Sequence, residues 1–95
     1  MYEIVWLADT NRRLGEILLE GAAFGQQGAI LAALLNLRIR LSADPHGVGE
    51  IKYRLHAGFP VHDGAESPLL IRFAIVGQLR QVWVFDVRRM SGRDE

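Results

Sequence analysis

The chain has 95 residues, of which 49% are hydrophobic and 23% are charged, and it contains no cysteine. This length predicts a single domain over 1–95, and the composition excludes an intrinsically disordered chain. A disulfide scaffold, a zinc ribbon and a cysteine nucleophile are excluded as well. No apolar run reaches the roughly 20 residues that cross a bilayer, and the first residues lack a signal-peptide pattern. We therefore expect a cytoplasmic protein without membrane association.

Charge is distributed unevenly along the chain, although 11 basic and 11 acidic residues cancel to a formal net charge of zero. Residues 1–50 carry a net charge of −2 and residues 51–93 carry +4. A whole-protein field that attracts nucleic acid is therefore absent, but a local basic face is expected in the second half. Ten of the 11 basic residues are arginine. Arginine suits phosphate and carboxylate recognition, and it also follows genomic GC content without any functional meaning.

The first half predicts one strand and two helices. Alternating β-branched and aromatic residues predict a strand over 2–7. A helix is expected from N-cap candidates at 9–11 to Gly21, which stops it, with an apolar stripe of Leu14, Ile17 and Leu18. A second helix is expected over about 24–42, with a stripe of Ile30, Leu34, Leu37 and Leu41 that is widened by Leu31 and Leu35. The short connection predicts an antiparallel helical hairpin.

The second half predicts three strands. A turn at 44–47 contains proline and glycine and leads to a strand over 50–56. The polar stretch 57–67 is expected to be a loop or a long hairpin connection. Strands over 68–76 and 81–87 alternate strongly, and the turn between them predicts an antiparallel hairpin. The polar tail after Met90 is expected to be mobile.

This order of elements, β-α-α-β-β-β, predicts an α+β sandwich of two layers, in which the helical hairpin packs on a mainly antiparallel sheet. The other sheet face is left uncovered, so a ligand or partner is expected there. Lys52, Arg54 and His56 alternate along one strand and are expected on this face. Arg72 is expected to pair with Asp86 across the hairpin. The Arg88-Arg89 pair points to opposite faces if the strand extends that far.

Metal and cofactor signals are weak. The three histidines lack metal-ligand spacing, and no strand precedes Gly25-x-x-Gly28 as a nucleotide loop requires. We therefore expect neither a metal nor a cofactor.

Four segments, taken in order, carry motifs of a known family. Residues 2–7 form a first strand, and residues 41–50 resemble an L-x-x-D-P…G-E junction. Residues 68–75 resemble a P-L-x-V-x-F-x-V strand, and residues 82–89 resemble a last core strand that ends at a basic residue. In this order the segments resemble the RelE/ParE superfamily of toxins from bacterial type II toxin–antitoxin modules, the third of them its small plasmid-stabilisation members. The resemblance covers nearly the whole chain, from residue 2 to about residue 89.

This resemblance implies a metal-independent, ribosome-dependent mRNA endonuclease that a cognate antitoxin neutralises. In such members, basic side chains on the open sheet face bind RNA phosphates, and the RNA's own 2′-hydroxyl attacks. Lys52 and Arg54 lie on the strand that carries the nuclease lysines of the family, and Arg88 and Arg89 lie near its terminal basic pair. Arg72 is displaced by two positions from the family's arginine. The expected catalytic residues are Lys52, Arg54, Arg72, Arg88 and Arg89.

The alternative is a non-catalytic member of the same fold. It would be a gyrase-inhibiting toxin, or an inactive domain that pairs with an antitoxin or with a second copy of itself. Two departures favour it, because the family's arginine position falls near Leu70 and its C-terminal tyrosine or histidine has no counterpart after Met90. A third possibility, a small enzyme acting on a low-molecular-weight substrate, would need a deep pocket that so small a domain rarely has.

Overall fold

In the computed structural model, which describes residues 1–90, the elements are β1 (Glu3–Trp6), α1 (Ala8–Ala23), α2 (Gln27–Ala43), β2 (Glu50–Arg54), β3 (Pro60–Glu66), β4 (Leu69–Val76) and β5 (Gln81–Arg89). Short 3-10 turns at Pro45–Gly47 and Gly77–Leu79 precede β2 and β5. The strands form one sheet in the order β1-β5-β4-β3-β2. The β1–β5 pair is parallel and the other three pairs are antiparallel. The expected α+β sandwich with a helical hairpin on a mainly antiparallel sheet is confirmed. The expected mobile tail falls on residues 91–95, outside the described residues.

The hydrophobic core lies between the helical hairpin and one face of the sheet. Strand β4 buries Leu69, Ile71, Phe73 and Ile75 on the helix side. On its other face Leu70 is exposed and Arg72 is half-buried, whereas Ala74 and Val76 near the end of the strand are buried too. Ile17 of α1 and Leu37 of α2 are fully buried against this strand's face of the core. Each such side chain stabilises the fold by roughly 1.5–3 kcal/mol relative to its exposed state.

The apolar surface of α2 is wider than the core can cover. Leu31, Leu35 and Ile39 are 52%, 56% and 58% exposed, so the expectation that Leu31 and Leu35 widen the core stripe is wrong. The buried residues of α2 are confined to the arc that carries Ile30, Ala33, Leu37 and Leu41, since one helix face subtends little more than a third of the circumference. Within residues 1–90, no helix is long and apolar enough to cross a membrane.

The helix ends differ from those predicted. Helix α1 begins at Ala8 with Leu7 as its N-cap, so residues 9–11 lie in the first turn and do not cap it. The Leu7 amide still donates to the Val84 carbonyl oxygen at 3.2 Å, because the chain passes directly from the sheet into the helix. The helix also continues past Gly21, where a Cβ would overlap the Ile30 side chain. Gly21 therefore allows the two helices to approach closely, and the chain reverses at Gly25 with φ of +70°.

The segment predicted as a loop over 57–67 contains the strand β3, which pairs with β2 on one side and β4 on the other. Its polar side chains find partners on other elements. His62 Nδ1 lies 3.1 Å from the Val48 carbonyl oxygen, Asp63 binds Arg72, and Arg40 donates to Glu66 at 2.7 Å. Partners so distant in sequence allow a polar segment to form an interior strand without unsatisfied groups.

Candidate functional site

The uncovered sheet face brings Lys52, Arg72 and Arg88 together around Asp63. Arg72 lies opposite Asp63 of β3 and opposite Asp86 of β5 in the strand register. The hydrogen bond from Arg72 is the largest influence on the pKa of Asp63 and holds it below its ordinary value. Partial burial opposes this effect, and the charges of Arg72, Lys52 and Arg88 reinforce it. Three of the five predicted site residues therefore share one face.

Arg72 binds Asp63 in a bidentate pair. Its Nε and Nη2 lie 2.6 Å and 3.0 Å from the two carboxylate oxygens of Asp63, and this contact raises the pKa of Arg72. The expected Arg72–Asp86 pair is wrong, since the Asp86 carboxylate is bound by Arg88 Nε at 3.4 Å. The β4–β5 register shifts immediately after Arg72, whereas the β3–β4 register is regular and places Asp63 directly opposite Arg72. The ring of Tyr53 lies 6.0 Å from the Arg72 guanidinium carbon.

A small hollow opens beside this pair on the same face. It has a volume of about 100 Å³, and its charged lining residues are Asp63, Arg72, Asp86 and Arg88. Lys52 forms no ion pair among the described residues. The hollow has room for one small anionic group, but each lining arginine is already beside a carboxylate.

Arg54 lies on the other side of the sheet. The register of β2 shifts between Ile51 and Tyr53, so the simple alternation of Lys52 and Arg54 is broken. Arg54 then pairs with Pro60 in register and shares a cleft with His62. Strand β2 ends at Arg54, so His56 lies in the following turn and the predicted row of three residues on one strand face is wrong.

Arg89 also lies away from the open face. It is opposite Leu69, whereas Arg88 is opposite Leu70, which confirms that the two arginines point to opposite faces. Arg89 Nη1 donates to the Gln26 side-chain oxygen at 3.0 Å, and its guanidinium carbon lies 5.4 Å from the centre of the Phe24 ring. Arg89 therefore ties the connection between the helices to the end of β5.

A second cleft, of about 440 Å³, opens at the β2 end of the molecule on the helix side of the sheet. His46, Arg54, Phe59, His62 and Gln78 are among its lining residues. The sequence patterns suggest no role for His46 and His62 other than metal binding, and they do not reveal that the two side chains lie close together. No spacing in the sequence links His46 with His62, because they lie on separate elements and the pattern of residues 57–67 predicts a loop.

An exposed apolar face runs along the outer side of the helical hairpin. Leu31, Leu35 and Ile39 recur at four-residue intervals on α2, and Leu19 of α1 is 75% exposed. A groove of about 250 Å³ lies beside them, between the two helices and β1, and its lining includes Leu14, Leu34, Leu35 and Arg38. Contiguous apolar surface of this kind is typical of a protein interface.

Neither a metal-binding arrangement nor a similar known protein assigns a function to these sites. Within residues 1–90, no group of three or more His, Asp or Glu side chains is arranged to hold a metal ion. Comparison of the chain with protein-family models, with curated proteins and with solved structures finds no match.

Proposed function

We propose that this protein is the toxin of a bacterial type II toxin–antitoxin module and that it cleaves mRNA on the ribosome, in the cytoplasm, through its uncovered sheet face. One observation carries the proposal: three strands each contribute a cation near Asp63. Arg72 and Arg88 line a hollow of about 100 Å³ together with Asp63, and the charge of Lys52 acts on the same Asp63. Cations placed in this way bind an RNA backbone and stabilise negative charge that develops on a phosphate during attack.

The proposed reaction needs no cofactor. The 2′-oxygen of the RNA attacks the adjacent phosphorus and loses its proton, the bond from phosphorus to the 5′-oxygen breaks, and the 5′-oxygen gains a proton. Asp86 is the carboxylate available as the base, because a single contact of 3.4 Å holds it whereas Asp63 is bound at both oxygens. Arg72 and Arg88 bind the phosphate, and Lys52 supplies the proton to the leaving oxygen.

The proposed partner is an antitoxin that covers the apolar face of the hairpin. Leu31, Leu35 and Ile39 form one side of a helical stripe, and an amphipathic helix with apolar residues at similar intervals would bury it. A second copy of the chain is the competing occupant of the same surface. Sedimentation of the purified chain alone distinguishes the two, because self-association would be seen without any antitoxin.

The ion pairing on the sheet face favours a second candidate, a non-catalytic member of the fold. Asp63 occupies the Nε and Nη2 edge of Arg72, which is one of its bidentate edges, and Asp86 pairs with Arg88. A balanced face of this kind suits a protein surface with complementary charges better than an RNA backbone. This candidate inhibits gyrase or does no more than bind its antitoxin.

Primer extension on mRNA from a reconstituted translation reaction tests the proposal. The wild-type chain is expected to create new 5′ ends within translated codons. The triple variant Lys52→Ala/Arg72→Ala/Arg88→Ala is expected to lose them, and Arg12→Ala, which removes an exposed arginine from α1, is expected to keep them. Intact mRNA at a large excess of folded wild-type protein would reject the nuclease. A gyrase supercoiling assay would then separate the two non-catalytic forms.

A further inference from the structure

The second cleft, on the helix side of the sheet, differs from the open face in its charge. Its lining contains Arg54, His46 and His62, and none of its lining residues is Asp or Glu. On the open face, by contrast, Asp63 binds Arg72 and Asp86 binds Arg88. The cleft therefore offers an anion the Arg54 guanidinium, which no lining carboxylate pairs with, beside the imidazoles of His46 and His62.

The fold holds the histidines of this cleft in place. His62 is 6% exposed, and its ring stacks on Phe73 with centroids 5.3 Å apart. Its Nδ1 lies 3.1 Å from the Val48 carbonyl oxygen, so a neutral ring carries its proton on Nδ1 and leaves the Nε2 lone pair for another partner. The His46 ring packs edge-on at a centroid distance of 6.4 Å. The two imidazoles are thus side by side in one wall.

The turn after β2 positions the arginine. Arg54 Nη1 donates to the Gly58 carbonyl oxygen at 3.0 Å. The turn itself is closed by hydrogen bonds from the Gly58 amide to Leu55 at 2.7 Å and from the Leu55 amide to Phe59 at 2.9 Å. Gly58 has φ of +89°, which permits this tight geometry. One of the five guanidinium donors is used in this way, and the others remain for a ligand.

We propose that this cleft binds a nucleotide, either a free nucleoside monophosphate or the terminal nucleotide of an RNA strand. Arg54 and His46 bind its phosphate, the Nε2 lone pair of His62 accepts a hydrogen bond from a ribose hydroxyl, and Phe59 stacks on its base. The volume of about 440 Å³ is within the range of small-molecule sites and exceeds what inorganic phosphate needs. Ile51 and Ile75 supply an apolar wall for the remainder of the base. The proposal is independent of the nuclease function, because it uses neither Lys52 nor Arg72 nor Arg88.

Calorimetric titration with adenosine 5′-monophosphate, adenosine and inorganic phosphate tests the site. The monophosphate is expected to bind more tightly than either fragment. Arg54→Gln is expected to weaken its binding about tenfold, the effect of losing a charge-assisted hydrogen bond, whereas the matched variant Arg12→Gln is expected to leave it unchanged. Phe59→Leu is expected to weaken the monophosphate about tenfold, as lost base stacking does, and to leave inorganic phosphate unchanged.

A proton NMR titration supplies the second readout. The ring resonances of His46 and His62 are expected to shift on addition of the monophosphate. A short oligoribonucleotide with a 5′-phosphate distinguishes the two sources: comparable binding identifies an RNA end, and weaker binding identifies a free nucleotide. Adenosine binding as tightly as its monophosphate, an Arg54→Gln variant equal to Arg12→Gln, or unshifted histidine resonances would overturn the proposal. The Lys52/Arg72/Arg88 triple variant is expected to retain nucleotide binding, so failure of the nuclease proposal leaves this test intact.

Discussion

Replacing Gly49 by alanine is expected to detach the beginning of β2 from β3. Gly49 has φ of +65°, in the left-handed region that alanine enters at a cost. A Cβ there would overlap the carbonyl oxygen of Asp63 and would lie 2.7 Å from the Cα of Gly64. Because both are backbone atoms, no side-chain rotation relieves the overlap, and the strand itself must move. Lys52 and Arg54 would move with it.

The magnitude follows from these two effects. The left-handed backbone costs alanine about 1 kcal/mol. Separation of the first register pairs, Glu50 with Asp63 and Ile51 with His62, removes cross-strand hydrogen bonds worth about 1 kcal/mol each. The free energy of unfolding is therefore expected to fall by about 3 kcal/mol. For a domain of this size, such a loss lowers Tm by roughly 10–25 °C.

Circular dichroism during thermal unfolding measures this effect, and two further glycines serve as controls. Gly58→Ala has φ of +89° but no atom within 4 Å of the added Cβ, so it is expected to cost only the backbone term of about 1 kcal/mol. Gly15→Ala, in the exposed interior of α1 with open space around the Cβ, is expected to stabilise by about 0.5–1 kcal/mol. A Gly49→Ala variant that melts no lower than Gly58→Ala would refute the close approach of β2 to β3.

Three further predictions concern the Asp63 ion pair, the Arg89 side chain and the two faces of α2. The pKa of Asp63 is lowered in the folded chain, so its charge stabilises the fold above the unfolded pKa of about 3.9, and this contribution is lost as pH falls through the lower folded value. Asp63→Asn is therefore expected to lower the free energy of unfolding at pH 7 and to make it fall less steeply as the pH is lowered, which urea unfolding between pH 7 and 2 measures. An equally steep fall in the variant and the wild type would contradict this prediction. Arg89→Gln loses its contact with Gln26 and is expected to lower the free energy of unfolding by about 1 kcal/mol without affecting mRNA cleavage, whereas lost cleavage in a folded variant would place Arg89 in the site. Leu35→Ala is expected to change the free energy of unfolding by less than about 0.5 kcal/mol, whereas Leu37→Ala is expected to lower it by about 2–5 kcal/mol. Equal urea midpoints for the two variants would show that the assigned buried and exposed faces of α2 are wrong.

Local patterns predicted the element types correctly where one face of each element is buried. Strand β4 has buried residues at every second position from Leu69 to Ile75, and α2 buries Ile30, Leu37 and Leu41. Such periodicities follow from the geometry of a single helix or strand, so the sequence shows them without knowledge of the neighbouring elements. The hairpin of β4 and β5 was predicted for the same reason, since its turn and its strands are adjacent in the chain.

The candidate site was only partly predictable. Lys52, Arg72 and Arg88 meet on one face as expected, but Arg54 leaves that face because the register of β2 shifts by one residue. A one-residue shift reverses the side to which a strand residue points. The local pattern of β2 does not predict the register shift, because the shift depends on how this edge strand pairs with β3.

By itself, the order of residues determined the α+β class, the helical hairpin and the alternation of β4, because each depends on contacts within one element or between neighbours in the chain. Only the tertiary structure decided that residues 60–66 form a strand, that Arg72 pairs with Asp63 and not with Asp86, and that His46 lies beside His62. These features depend on partners far apart in sequence. Their hydrogen bonds and charges acquire favourable partners only when the folded sheet brings separate strands together.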